Sequence, residues 1–186
     1  IAVAVTTPDN LICEDETTGL TAIGSGGTGP YTYLWSSVPA SNVSGSTSDT
    51  PTFIPAVTGV QVVYAFTVVA TDNFGVVCTA TGNVNITVDP IPTVLPVTIV
   101  DANICNGSST NVQIANSEAG VNYQLRNNVG NVSIGSPVAG TGLAAAIDLP
   151  TGVLTTSGLT TFNVLAINTT TGCDTQMSNT IGVTVN

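Results

Sequence analysis

Apolar and polar residues alternate along most of this chain, in short runs separated by glycine, asparagine, serine or proline. A period of two places every second side chain on one face, which is the pattern of a half-buried β-strand. The clearest runs in the second half are VTIV (97–100), NVQIA (111–115), VNYQL (121–125), FNVLAIN (162–168) and IGVTV (181–185). The nearest helical candidate, AGTGLAAAIDL (139–149), is short and interrupted by glycine. The pattern therefore predicts an all-β protein.

The same order of landmarks occurs twice along the chain. The matched pairs are DNLIC (9–13) with DANIC (101–105), Tyr33-Leu34-Trp35 with Tyr123-Gln124-Leu125, AFTVVATDNFGVVC (65–78) with TFNVLAINTTTGC (161–173), and VNITV (84–88) with IGVTV (181–185). Prolines stiffen the segment DPIPTVLP (89–96) between the two copies. We therefore predict two tandem immunoglobulin-like β-sandwich domains, residues 1–89 and 94–186, joined by a proline-rich linker at 90–93.

Each copy contains one cysteine at the end of an early strand and one shortly before the last strand. These are Cys13 and Cys78 in the first copy, and Cys105 and Cys173 in the second. Four cysteines permit three pairings. Because the landmarks repeat, we favour a bond within each domain, Cys13 with Cys78 and Cys105 with Cys173, each stabilising its domain by roughly 4 kcal/mol. Free buried thiols are the alternative, and a zinc site is disfavoured because the chain has neither a CxxC motif nor a histidine.

Charge narrows the range of functions. The chain has a single basic side chain, Arg126, against 11 acidic ones, which gives a net charge of −10. Nucleic-acid binding needs many Lys and Arg side chains, so we expect no nucleic-acid partner. Without His or Lys, catalysis would depend on carboxylates alone, so we expect no enzyme activity. No run approaches the roughly 18 apolar residues of a membrane helix, so we expect no membrane insertion.

The first residues, IAVAVTT (1–7), alternate like a strand and lack the charged start of a signal peptide. We expect the first strand of domain one there. A strand donated to the sheet of a neighbouring molecule is the alternative.

These motifs resemble the Ig-like and polycystic-kidney-disease-like repeats of Bacteroidetes cell-surface proteins. The elements that carry the resemblance are ICEDETTGLTAIGSGGTGPYTYLWSS (12–37), FTVVATDNFGVVC (66–78) and NVNITV (83–88), and in the second copy ICNGSST (104–110), GVNYQL (120–125) and NVLAINTTTGC (163–173). One departure is Trp35-Ser36-Ser37 in place of a WDFGDG-like motif. The resemblance implies a repeat of an adhesin, a gliding-motility filament or type IX secretion cargo, and therefore an extracellular location at the cell surface.

The most prominent candidate site is the aromatic row Tyr31, Tyr33 and Trp35, whose alternate spacing places all three side chains on one face. Such a row can stack on sugar rings, but immunoglobulin-type sandwiches also bury a tryptophan beside their disulfide. We predict that Trp35 packs in the core against the Cys13–Cys78 bond. Tyr31 and Tyr33 remain candidates for ligand or interface contact.

Two charged features are further candidates. Arg126, the lone cation, is a candidate for an interface contact with an acid of a neighbouring domain or subunit, with a surface ion pair of small value as the alternative. The acidic run Glu14-Asp15-Glu16 offers oxygen ligands to calcium but lacks the regular DxDxDG spacing of a calcium loop. We therefore expect solvated acids and no cofactor, with calcium as the alternative.

Taken together, the sequence predicts a noncatalytic extracellular module, either a repeat of an adhesin or a subunit of a surface filament. Its expected partners are further copies of itself or neighbouring repeats. The alternative function is a carbohydrate-binding accessory module of a secreted protein, with surface glycans as its ligands.

Overall fold

A computed structural model describes all residues from Ile1 to Asn186. All of its regular elements are strands, which confirms the predicted all-β fold. The chain divides into two compact units, Ile1–Pro90 and Ile91–Asn186. No helix is present that has the length and apolar character to cross a membrane. The segment 139–149, the nearest helical candidate, instead contains the end of one strand and most of another.

The first unit is a sandwich of two strand layers. Its strands are β1 (Ala2–Thr6), β2 (Leu11–Cys13), β3 (Thr18–Gly19), β4 (Thr21–Ser25), β5 (Tyr31–Val38), β6 (Asn42–Ser44), β7 (Thr52–Ile54), β8 (Val62–Asp72) and β9 (Cys78–Asp89). One layer has the order β2-β9-β8-β5. The other consists of β1-β4 and β3-β7-β6, joined by backbone hydrogen bonds such as that from the Ala22 amide to the Asp49 carbonyl (2.8 Å). This arrangement is that of an immunoglobulin-like β-sandwich.

The second unit repeats this plan. Its strands are β10 (Val97–Ile99), β11 (Asn103–Ile104), β12 (Asn111–Ile114), β13 (Val121–Asn127), β14 (Val132–Ser133), β15 (Val138–Ala139), β16 (Ile147–Pro150), β17 (Gly158–Asn168), β18 (Asp174–Gln176) and β19 (Ile181–Val185). One layer has the order β11-β19-β17-β13, with β14 and β15 both pairing with β13 and β18 pairing with β17. The other has the order β10-β12-β16.

The alternation of the sequence matches the burial of the central strands. Phe66, Val68 and Ala70 of β8 are completely buried, and so are their sequence counterparts Phe162, Val164 and Ala166 of β17. In the first core, the ring of Phe53 contacts those of Tyr64 and Phe66, with centroids 5.0 and 4.8 Å apart. Each unit therefore has its own hydrophobic core.

The first strand belongs to the first unit. β1 pairs antiparallel with β4, from Ala2 opposite Ser25 to Thr6 opposite Thr21. The side chains of Val3 and Val5 face Gly82 of β9, and a Cβ atom at Gly82 would lie 3.1 Å from Val3 Cγ1 and closer still to Val5 Cγ2. The close approach of the layers here requires a residue without a side chain.

Candidate functional site

The aromatic row on β5 faces the opposite layer of its own unit. Trp35 is 5% exposed, which confirms its predicted core position, and Tyr31 and Tyr33 are half-buried. The Trp35 indole Nε1 donates a hydrogen bond to the Ser48 carbonyl (3.0 Å). The aromatic side chains therefore point into the sandwich, while the alternate residues of the strand, such as Leu34, face outward.

Both tyrosine hydroxyls on this strand accept hydrogen bonds from the backbone of β4 or the turn after it. The Gly24 amide donates to the Tyr33 hydroxyl, and the Gly27 amide donates to the Tyr31 hydroxyl, each at 3.0 Å. The Tyr31 ring also lies close to Gly24, where an added Cβ atom would be 2.7 Å from Tyr31 Cγ. The two tyrosines brace one layer against the other.

The second unit contains a tyrosine hydroxyl that makes the same kind of hydrogen bond at the matching position. Tyr33 lies opposite Ala70, and Tyr123 lies opposite Ala166, so the loose sequence match between them corresponds to one structural position. Tyr123 is completely buried, and its hydroxyl accepts a hydrogen bond from the Glu118 amide (2.9 Å). Burial raises the pKa of Tyr123 above its ordinary value because it disfavours the phenolate.

Arg126 makes its hydrogen bonds within its own unit. Its Nε donates to Asn163 Oδ1 (2.8 Å), and one terminal nitrogen donates to Gln176 Oε1 (3.1 Å). Asn163 is almost completely buried, and its amide nitrogen donates in turn to the side chains of Asn128 and Asn131. The partners of the cation are therefore neutral carboxamides, which the sequence pattern did not indicate. Asn163 forms the centre of this polar cluster.

The acidic run is not uniformly solvated, contrary to the expectation for residues 14–16. Glu14 is buried, and its Oε1 accepts hydrogen bonds from the Thr58 hydroxyl (2.9 Å) and the Gly59 amide (2.7 Å). Asp15 and Glu16 are exposed. Glu14 thus anchors the loop before β8, because a carboxylate can accept several bonds at once. Three consecutive acidic residues in the sequence do not indicate that the first of them, Glu14, is buried.

Asp72 occupies a comparable anchoring position at the end of β8. Its carboxylate accepts hydrogen bonds from the Phe74 and Thr28 amides, both at 3.0 Å. These bonds, above all the one from the Phe74 amide, hold the pKa of Asp72 below its ordinary value because they favour the charged form. No group of three or more His, Cys, Asp or Glu side chains comes together with the geometry to hold a metal ion.

The predicted bond between Cys13 and Cys78 is wrong. Cys78 is an exposed free thiol, and Cys13 is in the disulfide-bonded state. The reason is the position of β2, which pairs with the last three residues of β9, Thr87–Asp89, and places Cys13 opposite Asp89. Cys78 is the first residue of the same strand, so about 11 residues at roughly 3.3 Å each separate the two positions. A disulfide requires Cα atoms within about 7 Å.

The predicted bond between Cys105 and Cys173 is wrong for the same reason. Cys105 is an exposed free thiol beside the C-terminal end of β19, where the Asn106 amide donates to the Asn186 carbonyl. Cys173 is disulfide-bonded and lies beyond the far end of β17, where its carbonyl accepts from the Asn168 amide (2.9 Å). The cysteines lie at opposite ends of β17, about 10 residues and roughly 33 Å apart. Trp35 consequently has no Cys13–Cys78 bond to pack against.

The cavities open at the surface, and one of those with a mainly apolar lining is in the second unit. It has a volume of about 290 Å³ and lies in the second unit, between β13, β16 and the segment that leads to β15; its lining includes Leu125, Ile134, Val138 and Leu149. Another, of about 400 Å³, lies beside Trp35 and is lined mainly by serine and alanine together with Asn42 and Val43. Neither of these two cavities is lined by a carboxylate, whereas Asp9 and Glu16 both line a third cavity of about 470 Å³ in the first unit.

Comparison with known proteins gives weak structural similarities. No protein-family model and no curated protein matches the sequence. Among solved structures, murine CEACAM1b is 16% identical with a TM-score of 0.43 (99% of this chain, 100% of that one). The fibronectin(III)-like modules of Clostridium thermocellum CbhA are 13% identical with a TM-score of 0.41 (98% and 93%). The Yersinia pseudotuberculosis adhesin InvE is 16% identical with a TM-score of 0.35 (99% and 58%). The function therefore has to follow from this chain's own side chains.

Proposed function

We propose that this chain is a noncatalytic structural or adhesive module that works outside the cell, as a repeat of a surface adhesin or as a subunit of a surface filament. The finer assignment, to the Ig-like and polycystic-kidney-disease-like repeats of Bacteroidetes surface proteins, is supported by the motif around PYTYLW (30–35) and by the four cysteine-containing segments. Copies of the chain or neighbouring repeats are its proposed partners.

One observation carries the proposal: the side chains best suited to chemistry or binding are engaged within their own unit. Tyr31 and Tyr33 accept bonds from backbone amides, and Arg126 is bonded to two carboxamides. The buried carboxylate of Glu14 anchors a loop. These groups stabilise a sandwich, and using them for a ligand would require breaking those bonds. Disulfide-bonded Cys13 and Cys173 further support an oxidising compartment.

Surface labelling tests the proposal. Antibodies against the chain, applied to intact cells of its source, should label the outer surface, and external protease should remove the label. The single basic residue makes trypsin a poor choice, so a protease of broad specificity is needed. Label that appears only after the cells are permeabilised would contradict an extracellular role.

A glycan array separates this role from the carbohydrate-binding alternative. We expect no saturable binding, because the aromatic row faces the opposite layer. Saturable glycan binding that is lost in Tyr31→Ala, with the Trp35 fluorescence unchanged, would replace the structural role with a carbohydrate-binding one. Leu34→Ala on the outward face of the same strand is the matched control, since Leu34 is exposed.

A further inference from the structure

The two free cysteines are of two different kinds. Cys13 and Cys105 each end or follow the short strand that runs parallel to the last strand of their unit. Cys78 and Cys173 each lie beyond the end of the long central strand, β8 or β17. Cys13 and Cys173 are disulfide-bonded, so the oxidised set contains one cysteine of each kind. The free set, Cys105 and Cys78, also contains one of each kind.

An exposed free thiol is unexpected in a protein whose other cysteines are oxidised. Conditions that oxidise one pair of thiols also act on accessible thiols, because oxidation follows exposure and thiolate formation. Within each unit, the strand geometry keeps the free cysteine roughly 33 Å or more from the other end of the sheet. A free cysteine therefore cannot bond to the other cysteine of its own unit.

Exposed apolar side chains precede Cys78. Phe74, Val76 and Val77 are 69%, 81% and 64% exposed, in a loop that directly precedes the cysteine. The corresponding loop of the second unit, 169–172, consists of threonine and glycine, and the cysteine that follows it is disulfide-bonded. The apolar loop thus belongs to the copy whose thiol is free, and contiguous exposed apolar groups are typical of contact surfaces.

An exposed apolar side chain also lies on the segment next to the turn that follows Cys105. The Gly107 amide donates to the Leu154 carbonyl (2.9 Å), which brings this turn against the segment that contains Val153. Val153 is 65% exposed. Exposed apolar groups therefore lie in the loop before Cys78 and in a segment bonded to the turn after Cys105, and a second protein surface would cover them.

From this geometry we propose that Cys105 of one chain forms a disulfide with Cys78 of a second copy, which links successive copies head to tail. The inference rests on the proposed structural role and names its partner. Because the contact joins two different cysteines, each added copy uses one of its two free thiols and leaves the other exposed at the growing end, so the chain of copies can grow. A covalent bond suits this contact, since two copies that each carry a net charge of −10 repel one another.

The bond requires an oxidant, and a small-molecule disulfide is the class that we assign. The Cys105 thiolate attacks the oxidant's disulfide, forms a mixed disulfide and releases one small thiol. The Cys78 thiolate of the second copy then attacks the Cys105 sulfur and releases the second small thiol. In total, two protein thiols lose two protons and two electrons, and one oxidant disulfide becomes two thiols.

Single variants of the 186-residue chain test the pairing. The chain, with Cys13 and Cys173 in their disulfide-bonded state, is treated with oxidised glutathione and analysed on non-reducing gels. The wild type should give a ladder of dimers, trimers and longer species that collapses on reduction. Cys78→Ser alone and Cys105→Ser alone should each stay monomeric, while an equimolar mixture of the two should give dimers and nothing longer. Mass spectrometry of the dimer should identify the 78–105 peptide pair.

A variant with its second thiol at an unrelated site measures the rate of crosslinking by random collision. Cys105→Ser combined with Val129→Cys keeps Cys78 and moves the second thiol to another site, since Val129 is 78% exposed. The wild-type pair should crosslink at least about tenfold faster than this control, because contact between the exposed apolar groups near the two thiols orients the encounter. Equal rates would mean that the contact is unspecific and would overturn the proposal.

The remaining outcomes are equally decisive. Dimers formed by either single variant alone would show like-to-like pairing, and a wild type that remains monomeric would exclude the bond; either result overturns the proposal. Trp35 fluorescence of every variant should match that of the wild type, which shows that the first unit remains folded. Surface labelling of a chain that never crosslinks would leave the structural role standing and remove only the disulfide link. A crosslinked chain that is never found outside cells would contradict the structural role itself.

Discussion

Removal of a single tyrosine hydroxyl tests whether the aromatic row braces the sandwich. Tyr33→Phe removes the acceptor of the Gly24 amide, and Tyr123→Phe removes the acceptor of the Glu118 amide. A neutral hydrogen bond contributes about 0.5–1.5 kcal/mol net, and a buried donor left without a partner costs about 1–3 kcal/mol. Tyr33 is half-buried and Tyr123 is completely buried. We therefore expect a loss of roughly 1 kcal/mol for Tyr33→Phe and roughly 2 kcal/mol for Tyr123→Phe.

Urea unfolding measures both losses in the chain that contains both units. Trp35 is the only tryptophan, so its fluorescence reports the first unit, while far-UV circular dichroism reports both. With a urea dependence of about 1–3 kcal/mol per molar, a loss of 1 kcal/mol lowers the Trp35 midpoint by roughly 0.3–1 M. Tyr33→Phe should lower that midpoint. Tyr123→Phe should leave it in place and lower only the transition of the second unit.

A neighbouring substitution provides the control. Leu34 is 59% exposed on the opposite face of β5, so Leu34→Ala should change the stability by no more than about 0.5 kcal/mol. If Tyr33→Phe left the midpoint as unchanged as this control does, water would satisfy the Gly24 amide equally well. The brace would then contribute nothing to stability, and the tyrosine hydroxyl would be free for another role.

Three further perturbations follow from single contacts. Asp72→Asn should weaken the fall in stability at acid pH. A carboxylate whose folded pKa is lowered contributes stability above pH 3.8 and loses that contribution as the pH falls from 3.8 through the folded pKa. Urea midpoints between pH 2 and 6 measure the effect, and a pH dependence equal to that of the wild type would contradict it. The contribution of Tyr123 is fully present below pH 10.0 and is lost as the pH rises through its raised folded pKa, so Tyr123→Phe should lack the loss of stability that the wild type shows in alkali. Gly82→Ala should destabilise the first unit by about 1–3 kcal/mol, since its Cβ would collide with Val5, whereas the exposed neighbour Thr81→Ala should cost less than about 0.5 kcal/mol.

Local patterns in the sequence predicted the fold well. The alternation in β8 and β17 identified their buried faces, because one buried face imposes a period of two on any strand. The match between Trp35 and Leu125 also proved to be one position, opposite Val68 in one unit and Val164 in the other. The sequence did not indicate the burial of Glu14 or the carboxamide partners of Arg126, since these depend on loops that are distant along the chain.

The pairing of the cysteines shows most clearly which features the sequence determines and which depend on the tertiary structure. The sequence by itself determined that each copy has one cysteine after an early strand and one before the last strand. It could not determine where along the last strand the early strand pairs. A pairing at the start of β9 would bring Cys13 beside Cys78, whereas the pairing with Thr87–Asp89 in the structure brings it to the end, beside Asp89. Alternation specifies which face of a strand is buried but not at which end of a longer strand a short one pairs, so only the tertiary structure decides which cysteines can meet.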